Sequence, residues 1–135
     1  MQSPELTFAF EIRALVSPPE HVGRGPGEVL EIYPILGGTV AGPRLNGVVL
    51  GIGADWATTR GTVTEVEARY LIRADDGALI DIVNRGVYRD DGAYFYTSPV
   101  FRTDAPSHSW LAETVFVGAA RQDGDDIVIA VFAVG

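Results

Sequence analysis

Apolar and polar residues alternate along several short stretches of this chain, which is the pattern of half-buried β-strands. From Leu6 to Val16 every second residue is apolar, so these side chains share one face of the predicted strand. Over Val63–Ala74 the alternation separates a face that carries Tyr70 from a face that carries Arg69 and two glutamates. Both faces of this strand mix apolar and polar residues, so the alternation alone does not decide which face is internal.

Glycine and proline separate these stretches at the spacing expected of strands and tight turns. Hairpin turns are predicted at Asp75–Gly77, Asp90–Gly92 and Asp123–Asp125. The segment 17–27 is rich in proline and glycine and is predicted as a loop, and Gly37-Gly38 is predicted to end a strand.

Helix is almost absent from the predicted structure. One short helix candidate begins at Ser107, whose hydroxyl is predicted to cap it. About ten strands joined by tight turns predict an all-β fold. We predict a single antiparallel up-and-down β-barrel of about 8–10 strands, similar to calycin and lipocalin barrels. One domain spans residues 1–135 in this prediction.

Composition excludes several classes of protein and of chemistry. Hydrophobic residues make up 47 % of the chain and charged residues 21 %, which excludes a disordered polar chain. The absence of cysteine excludes disulfides, thiolate nucleophiles and cysteine-ligated metals. The chain has no lysine, so Schiff-base chemistry is excluded as well.

Charge and apolar runs bear on partners and on location. A formal net charge of −8 repels a phosphate backbone, so we expect no nucleic acid partner. The chain has no apolar run near the roughly 20 residues of a membrane helix, and no signal-peptide pattern at its start. We therefore expect a cytoplasmic protein that does not bind membranes.

Metal and phosphate motifs are missing from the sequence. His21 and His108 stand far apart, and no metal-binding spacing such as H-E-x-x-H occurs. The glycine-rich segment 23–27 lacks the lysine and the following helix of a phosphate loop. We predict neither a metal site nor a cofactor.

The segment Gly53-Ala54-Asp55-Trp56 is the first candidate for chemistry. An aspartate beside a tryptophan after a glycine-rich turn is suited to a barrel mouth. There the indole would lower the local polarity and raise the carboxyl pKa, as a general acid or base requires. The alternative is a turn aspartate that caps backbone amides, with the tryptophan in the core.

Two arginines are the next candidates. An internal Arg69 or Arg85 would bind a carboxylate or enolate oxygen through two hydrogen bonds. The alternative is a ladder of glutamate–arginine pairs on the exterior, which contributes little stability.

Aromatic residues and one histidine complete the set of candidate residues. The aromatic rings are interpreted either as pocket walls or as core packing, and they are Trp56, Tyr70, Tyr94 and Trp110. His108 is interpreted either as a proton carrier beside the ligand or as a surface residue of the short helix.

Five short blocks in a fixed order resemble the domain-of-unknown-function family 3237, whose members are small bacterial and fungal proteins. The blocks are Gly37-Gly38-Thr39, Gly53-Ala54-Asp55-Trp56, Glu67-Ala68-Arg69-Tyr70, Asn84-Arg85-Gly86 and Trp110-Leu111. The resemblance runs from about Thr7 to the C-terminus and implies a compact antiparallel β-barrel. It implies little about chemistry, although some members accompany pathways for aromatic or polyketide-like molecules.

These observations lead to one function hypothesis and two alternatives. The hypothesis is a cofactor-free enzyme for hydrolysis or for proton transfer (isomerisation) at a small carbonyl or lactone compound. Asp55 would be the acid–base group, and Arg69 and Arg85 would stabilise negative charge. We expect Asp55, Trp56 and Arg69 to share one cavity with Tyr94 or Trp110. The alternatives are a non-catalytic barrel that binds an apolar or aromatic ligand, and a structural homo-oligomer.

Overall fold

The structure, a computed structural model that describes residues 1–135, consists of nine antiparallel β-strands and two short 3₁₀ helices. The strands are β1 (Leu6–Val16), β2 (Glu20–Gly25), β3 (Glu28–Ala41), β4 (Gly47–Arg60), β5 (Val63–Ala74), β6 (Leu79–Arg89), β7 (Tyr94–Arg102), β8 (Phe116–Asp123) and β9 (Asp126–Val134). The 3₁₀ helices are Asp90–Gly92 and Pro106–Ala112. No helix is long and apolar enough to span a bilayer.

Eight of these strands close into a barrel. From β3 to β9 each strand pairs with the next strand along the chain, and β1 pairs with both β9 and β3. Closure leaves no free edge along most of the wall, which removes the main risk of edge-to-edge association. The prediction of a closed antiparallel barrel with little helix is confirmed.

The predicted loop over residues 17–27 is wrong, because it contains β2. β1 and β2 lie end to end along β3: β1 pairs with residues 35–41 of that strand, and β2 pairs with residues 28–32. The two prolines of the break interrupt the ladder between them. β2 buries neither face, so it carries no alternation from which a strand could have been predicted.

Gly37-Gly38 also differs from its prediction, since β3 continues through it with a bulge. Gly38 has a φ of +144°, and a Cβ built there would lie 1.9 Å from the backbone oxygen of Arg13. Only glycine fits such a close approach between strands. Gly53 is equivalent in β4: its φ is +102°, and a Cβ there would lie 2.0 Å from the backbone oxygen of Arg69.

The short helix forms where it was predicted, but Ser107 does not cap it. The helix spans Pro106–Ala112, its N-cap position is Ala105, and no side chain caps it. Proline at the start of the helix needs no hydrogen-bond acceptor for its nitrogen, so it starts the turn without a cap. The Ser107 hydroxyl instead donates to Asp76 Oδ2 at 3.0 Å.

Large side chains fill one half of the barrel. Phe10, Phe101 and Phe116 are fully buried, and their rings meet at centroid distances of 5.2–6.4 Å. The 3₁₀ helix Pro106–Ala112 covers this end and adds Leu111, which is buried, and Trp110, which is partly buried. Burying each of these side chains stabilises the fold by about 2–3 kcal/mol, so this closed half carries the core.

Small residues leave the other half hollow. The interior positions there include Ala14, Ala57, Ala68, Gly86, Gly118 and Ala120. Since a barrel of eight strands has an interior that side chains just fill, small residues at these positions leave a cavity. The open half is therefore the place to look for a ligand site.

Candidate functional site

The lumen of the open half consists of an outer cavity and an inner chamber. The outer cavity has a volume of about 330 Å³, and the inner chamber has about 30 Å³. Asp55, Val66 and Phe95 line both spaces, so the chamber continues the cavity into the barrel. A volume near 300 Å³ is at the lower end of the range for small-molecule sites, so the lumen suits a small ligand.

Strand register places Asp55 inside this lumen. Across four neighbouring strands, Tyr33 pairs with Asp55, Asp55 with Ala68, and Ala68 with Asn84. These four residues form one row around the inner wall, because side chains of directly paired residues point to the same face. Ala68 is small, so space remains between the carboxyl group of Asp55 and the amide of Asn84.

The carboxyl group of Asp55 has an unusual environment. Its Oδ1 atom is buried and has no hydrogen-bond partner. Burial raises the pKa of Asp55 from 3.8 to about 6, and a hydrogen bond from the backbone N–H of Glu67 only partly opposes this rise. Both protonation states are therefore populated near neutral pH, which suits a group that accepts and returns a proton.

Three further polar side chains line the inner chamber. Tyr70, Asn84 and Thr97 are 2 %, 4 % and 5 % exposed, and each has a buried oxygen without a partner. Buried polar atoms in proteins nearly always have hydrogen-bond partners. Three such exceptions beside Asp55 make this chamber a candidate binding site for a polar group.

The mouth of the lumen is polar and acidic. Glu31, Tyr33 and Tyr88 line the outer cavity. Burial, followed by the nearby charges of Glu31 and Asp55, raises the pKa of Tyr33 above its usual 10, so its hydroxyl stays protonated. No arginine or histidine lines either space. Glu31 faces His21 at the rim, where Nδ1 of His21 lies 3.9 Å from Glu31 Oε2, whereas Asp55 has no cationic partner.

The prediction that Asp55, Trp56 and Arg69 share one cavity is wrong. Asp55 and Arg69 lie on opposite sides of the barrel wall, because Arg69 belongs to the outward face of β5. Arg69 forms an ion pair with Asp81 on the exterior, with a nitrogen–oxygen distance of 3.4 Å. Arg85 is also external and pairs with Glu67 at 2.9 Å. The exterior ladder of ion pairs is therefore the correct interpretation of these arginines.

Trp56 and Tyr94 also point outward, contrary to the predicted pocket walls. Trp56 is 43 % exposed and meets Arg69 in an external groove of about 300 Å³. Tyr94 is 36 % exposed and packs edge-to-face against Tyr96, with the guanidinium of Arg89 3.9 Å from its ring centroid. Each is the sequence neighbour of an inward residue, namely Asp55 or Phe95, and period-2 alternation sends neighbours to opposite faces.

Trp110 and His108 lie at the closed end, far from the lumen. Trp110 packs on Phe10 and Phe116, so for this residue the core interpretation is correct. Nε2 of His108 lies 2.8 Å from Asp76 Oδ2, in the turn between β5 and β6. Neither side chain lines the outer cavity or the inner chamber.

Of the eight predicted site residues, Asp55 and Tyr70 line the lumen. Sequence reasoning missed Tyr33, Asn84 and Thr97. A signal for Asn84 was present, since it follows Ile80 and Ile82 at every second position, and both isoleucines are fully buried. A polar residue at a core position of a strand is a candidate site residue in its own right.

Comparisons with known proteins agree with this architecture. Residues 4–134 match the family described as "Protein of unknown function (DUF3237)". An UPF0311 protein from Rhodopseudomonas palustris is 34 % identical over 147 residues, covering 96 % of each chain. The crystal structure of a protein of unknown function from that species superimposes over the full length of both chains, with a TM-score of 0.94 at 34 % identity.

A second bacterial structure has the same fold, and a fungal relative is described as an enzyme. A beta-barrel like protein from Acinetobacter baumannii superimposes with a TM-score of 0.91 at 27 % identity, covering 100 % of this chain and 98 % of that one. The hydroalkoxylation enzyme phnH of Penicillium herquei is 28 % identical over 110 residues, covering 80 % of this chain and 68 % of the relative. The chain is thus distantly related to an enzyme.

Proposed function

The chain belongs to the DUF3237 family, and on that premise we propose that it is an enzyme that transfers protons on a small organic molecule bound in the barrel lumen. Asp55 is the acid–base group of this proposal. The observation that carries it is the buried carboxyl of Asp55, which has an unpartnered oxygen in a cavity without cations. A structural aspartate would have its oxygens hydrogen-bonded.

The fungal relative suggests the reaction class. Its name denotes addition of the O–H bond of an alcohol across a carbon–carbon double bond. In this lumen, the Asp55 carboxylate takes the hydroxyl proton while the oxygen bonds to one alkene carbon. The π electrons move to the other carbon, or to a carbonyl conjugated with it, and Asp55 returns the proton to that carbon. The product is an isomer of the substrate, so no cofactor or co-reactant is consumed.

Proton transfer is better supported than hydrolysis. Hydrolysis of a lactone localises a full negative charge on one tetrahedral oxygen, which needs fixed donors or cations in a dry site, whereas the addition spreads its charge over an enolate that Asp55 then protonates. Arg69 and Arg85, which were predicted to stabilise negative charge on the substrate, lie outside the barrel. A single carboxyl group that alternates between base and acid meets the needs of an isomerisation.

The experiment follows ring closure of 2′-hydroxyphenyl vinyl ketone to 4-chromanone, an internal hydroxyl addition. The chain has no cysteine that this probe would alkylate. We expect the protein to accelerate closure and Asp55→Asn to lose at least about 100-fold of that acceleration. Asp125→Asn, at an exposed turn, is the matched control and retains the wild-type rate.

Two results would contradict the proposal. If Asp55→Asn closes the probe as fast as the wild type, Asp55 is not the acid–base group. If the probe binds in the lumen without acceleration, the non-catalytic binding barrel is the better description.

A further inference from the structure

We propose that the inner chamber binds a neutral hydroxyl group of the substrate through Tyr70, Asn84 and Thr97, while the outer cavity holds an apolar body. This inference rests on the proposed function, because it names the substrate class of the same site. The substrate is thus an apolar molecule that enters with its hydroxyl end first. Tyr70, Asn84 and Thr97 are positioning residues in this account.

The first argument is the set of unpartnered atoms. Tyr70 Oη, Asn84 Oδ1 and Thr97 Oγ1 are each buried and lack a hydrogen-bond partner. An unsatisfied buried polar atom lowers stability, so a chamber with three of them is explained by a group that binds there. Each oxygen belongs to a side chain that lines the inner chamber.

The chemistry of these atoms selects the ligand. Tyr70 and Thr97 have hydroxyl groups that donate or accept, whereas Asn84 Oδ1 only accepts. A hydroxyl of the substrate both donates and accepts, so it satisfies both kinds of partner at once. An ether or a ketone only accepts and leaves the oxygen of Asn84 without a donor.

The volumes of the inner chamber and the outer cavity determine which end of the ligand enters first. The inner chamber of about 30 Å³ has space for a group the size of a water molecule, which needs about 10–15 Å³ by this measure. A ring does not fit there, whereas the outer cavity of about 330 Å³ accommodates one. Since Asp55 lines both spaces, a hydroxyl in the chamber lies beside the carboxylate that would take its proton.

Charge excludes anions from this site. Asp55 and Glu31 line the lumen, and no cationic side chain does. A carboxylate or phosphate would lose its hydration and meet like charge with no compensating partner. The lumen therefore favours a neutral hydroxyl compound over the corresponding acid.

The experiment measures dissociation constants of three probes by NMR titration of the amide resonances. Phenol carries the hydroxyl, anisole replaces it with a methyl ether, and benzoate carries a charge. We expect phenol to bind about tenfold more tightly than anisole, and benzoate to show no saturable binding. Tyr70→Phe and Thr97→Val each remove one chamber hydroxyl, and each is expected to weaken phenol binding severalfold.

The matched control is Tyr96→Phe, which removes the same atom from an exposed tyrosine of β7 and leaves phenol binding unchanged. Thermal unfolding of Tyr70→Phe is expected at or above the wild-type temperature, because the variant loses an unsatisfied buried hydroxyl. This excludes misfolding as the cause of weaker binding.

Equal binding of phenol and anisole, or tight binding of benzoate, would overturn the inference. Unchanged phenol binding in both Tyr70→Phe and Thr97→Val would overturn it as well. Failure of the proposed function is a separate result. If Asp55→Asn closes the vinyl ketone as fast as the wild type, the acid–base role is lost whatever the hydroxyl preference. If phenol shows no preference while Asp55→Asn stops ring closure, the hydroxyl chamber alone is wrong.

Discussion

At the scale of single residues, Asp55 is a carboxyl group that the native protein holds in an unfavourable place. Its pKa is raised to about 6 by burial, so the native state binds a proton more readily than the unfolded state does. The contribution of Asp55 to the free energy of unfolding is therefore greatest below about pH 4, where the carboxyl group is protonated in both states. This contribution is lost as the pH rises through about 6, because the buried group then becomes charged. A raised pKa of this size corresponds to about 3 kcal/mol of lost stability at neutral pH.

Asp55→Asn is therefore expected to stabilise the protein at pH 7 by about 2 kcal/mol, because the variant has no charge to bury. The gain shrinks between pH 6 and pH 4 and vanishes below pH 4, where the wild-type carboxyl is protonated. Urea unfolding at pH 4, 5, 6 and 7 measures this difference. A loss of about 1 kcal/mol at every pH would indicate a hydrogen-bonding structural role instead.

Arg69 and Arg85 are expected to be dispensable for the lumen. Both pair with carboxylates on the outer surface and are largely exposed, and such pairs contribute about 0–1 kcal/mol. Arg69→Gln and Arg85→Gln should each change the free energy of unfolding by less than about 1 kcal/mol and leave phenol binding unchanged. A tenfold change in the dissociation constant of phenol for either variant would mean that the exterior and the lumen are coupled.

At the scale of strands, Gly38 in β3 and Gly53 in β4 allow a close approach to the backbone of the neighbouring strand. Gly53 precedes Asp55 in β4 and brings the strand close to the backbone of Arg69. A bulge at this point bends the strand while its pairing with β5 resumes. Asp55 consequently lies in the middle of a strand. The predicted glycine-rich turn before it is a bulge, and the alternative of a turn aspartate that caps backbone amides is wrong.

Gly53→Ala is expected to destabilise the protein by more than about 2 kcal/mol, because it combines a positive φ with a backbone clash. Gly61→Ala is the matched control: its φ is +62°, but nothing lies within 4 Å of the added Cβ, and about 1 kcal/mol is expected. Urea unfolding at neutral pH compares the two. Equal losses would show that the close approach at Gly53 does not matter.

The sequence predicted strands better than it predicted the site, for a physical reason. Leu6–Val16 and Val63–Ala74 have the predicted bounds, because β5 and the part of β1 from Phe10 onward bury one face and therefore alternate. Leu6 and Phe8 do not share that face as predicted, since a bulge between Phe8 and Phe10 leaves both exposed. β2 buries neither face and left no pattern. The choice between the Tyr70 face and the Arg69 face of β5 depends on which side the closed barrel encloses, and alternation within one strand does not contain that information.

At the scale of the whole molecule, the barrel divides into a packed half and a hollow half. Phe10, Phe101 and Phe116 fill the first, and residues such as Ala68 and Gly118 leave the second open. The composition could not show this division, because it depends on which side chains reach the same level of the barrel. The division lets one half carry the stability and the other half bind a ligand.

Ala68→Leu tests the hollow half. Ala68 lies between Asp55 and Asn84 in the row around the lumen, so a larger side chain there occupies the inner chamber. We expect phenol binding to fall more than about tenfold, and we expect the free energy of unfolding to fall by about 1–3 kcal/mol, because the three added carbons exceed the water-sized space of the chamber. Unchanged phenol binding in this variant would place the ligand outside the lumen.

Asp55 is a buried carboxyl group that has one oxygen without a partner and is poised to exchange a proton. The most direct measurement is a pH titration of the Asp55 side-chain carboxyl carbon by ¹³C NMR, with Asp55→Asn used to assign the resonance. We expect a pKa of about 6 for this group, because burial raises it and no cation opposes the rise. A pKa at or below the ordinary 3.8 would show that Asp55 is not a desolvated acid–base group.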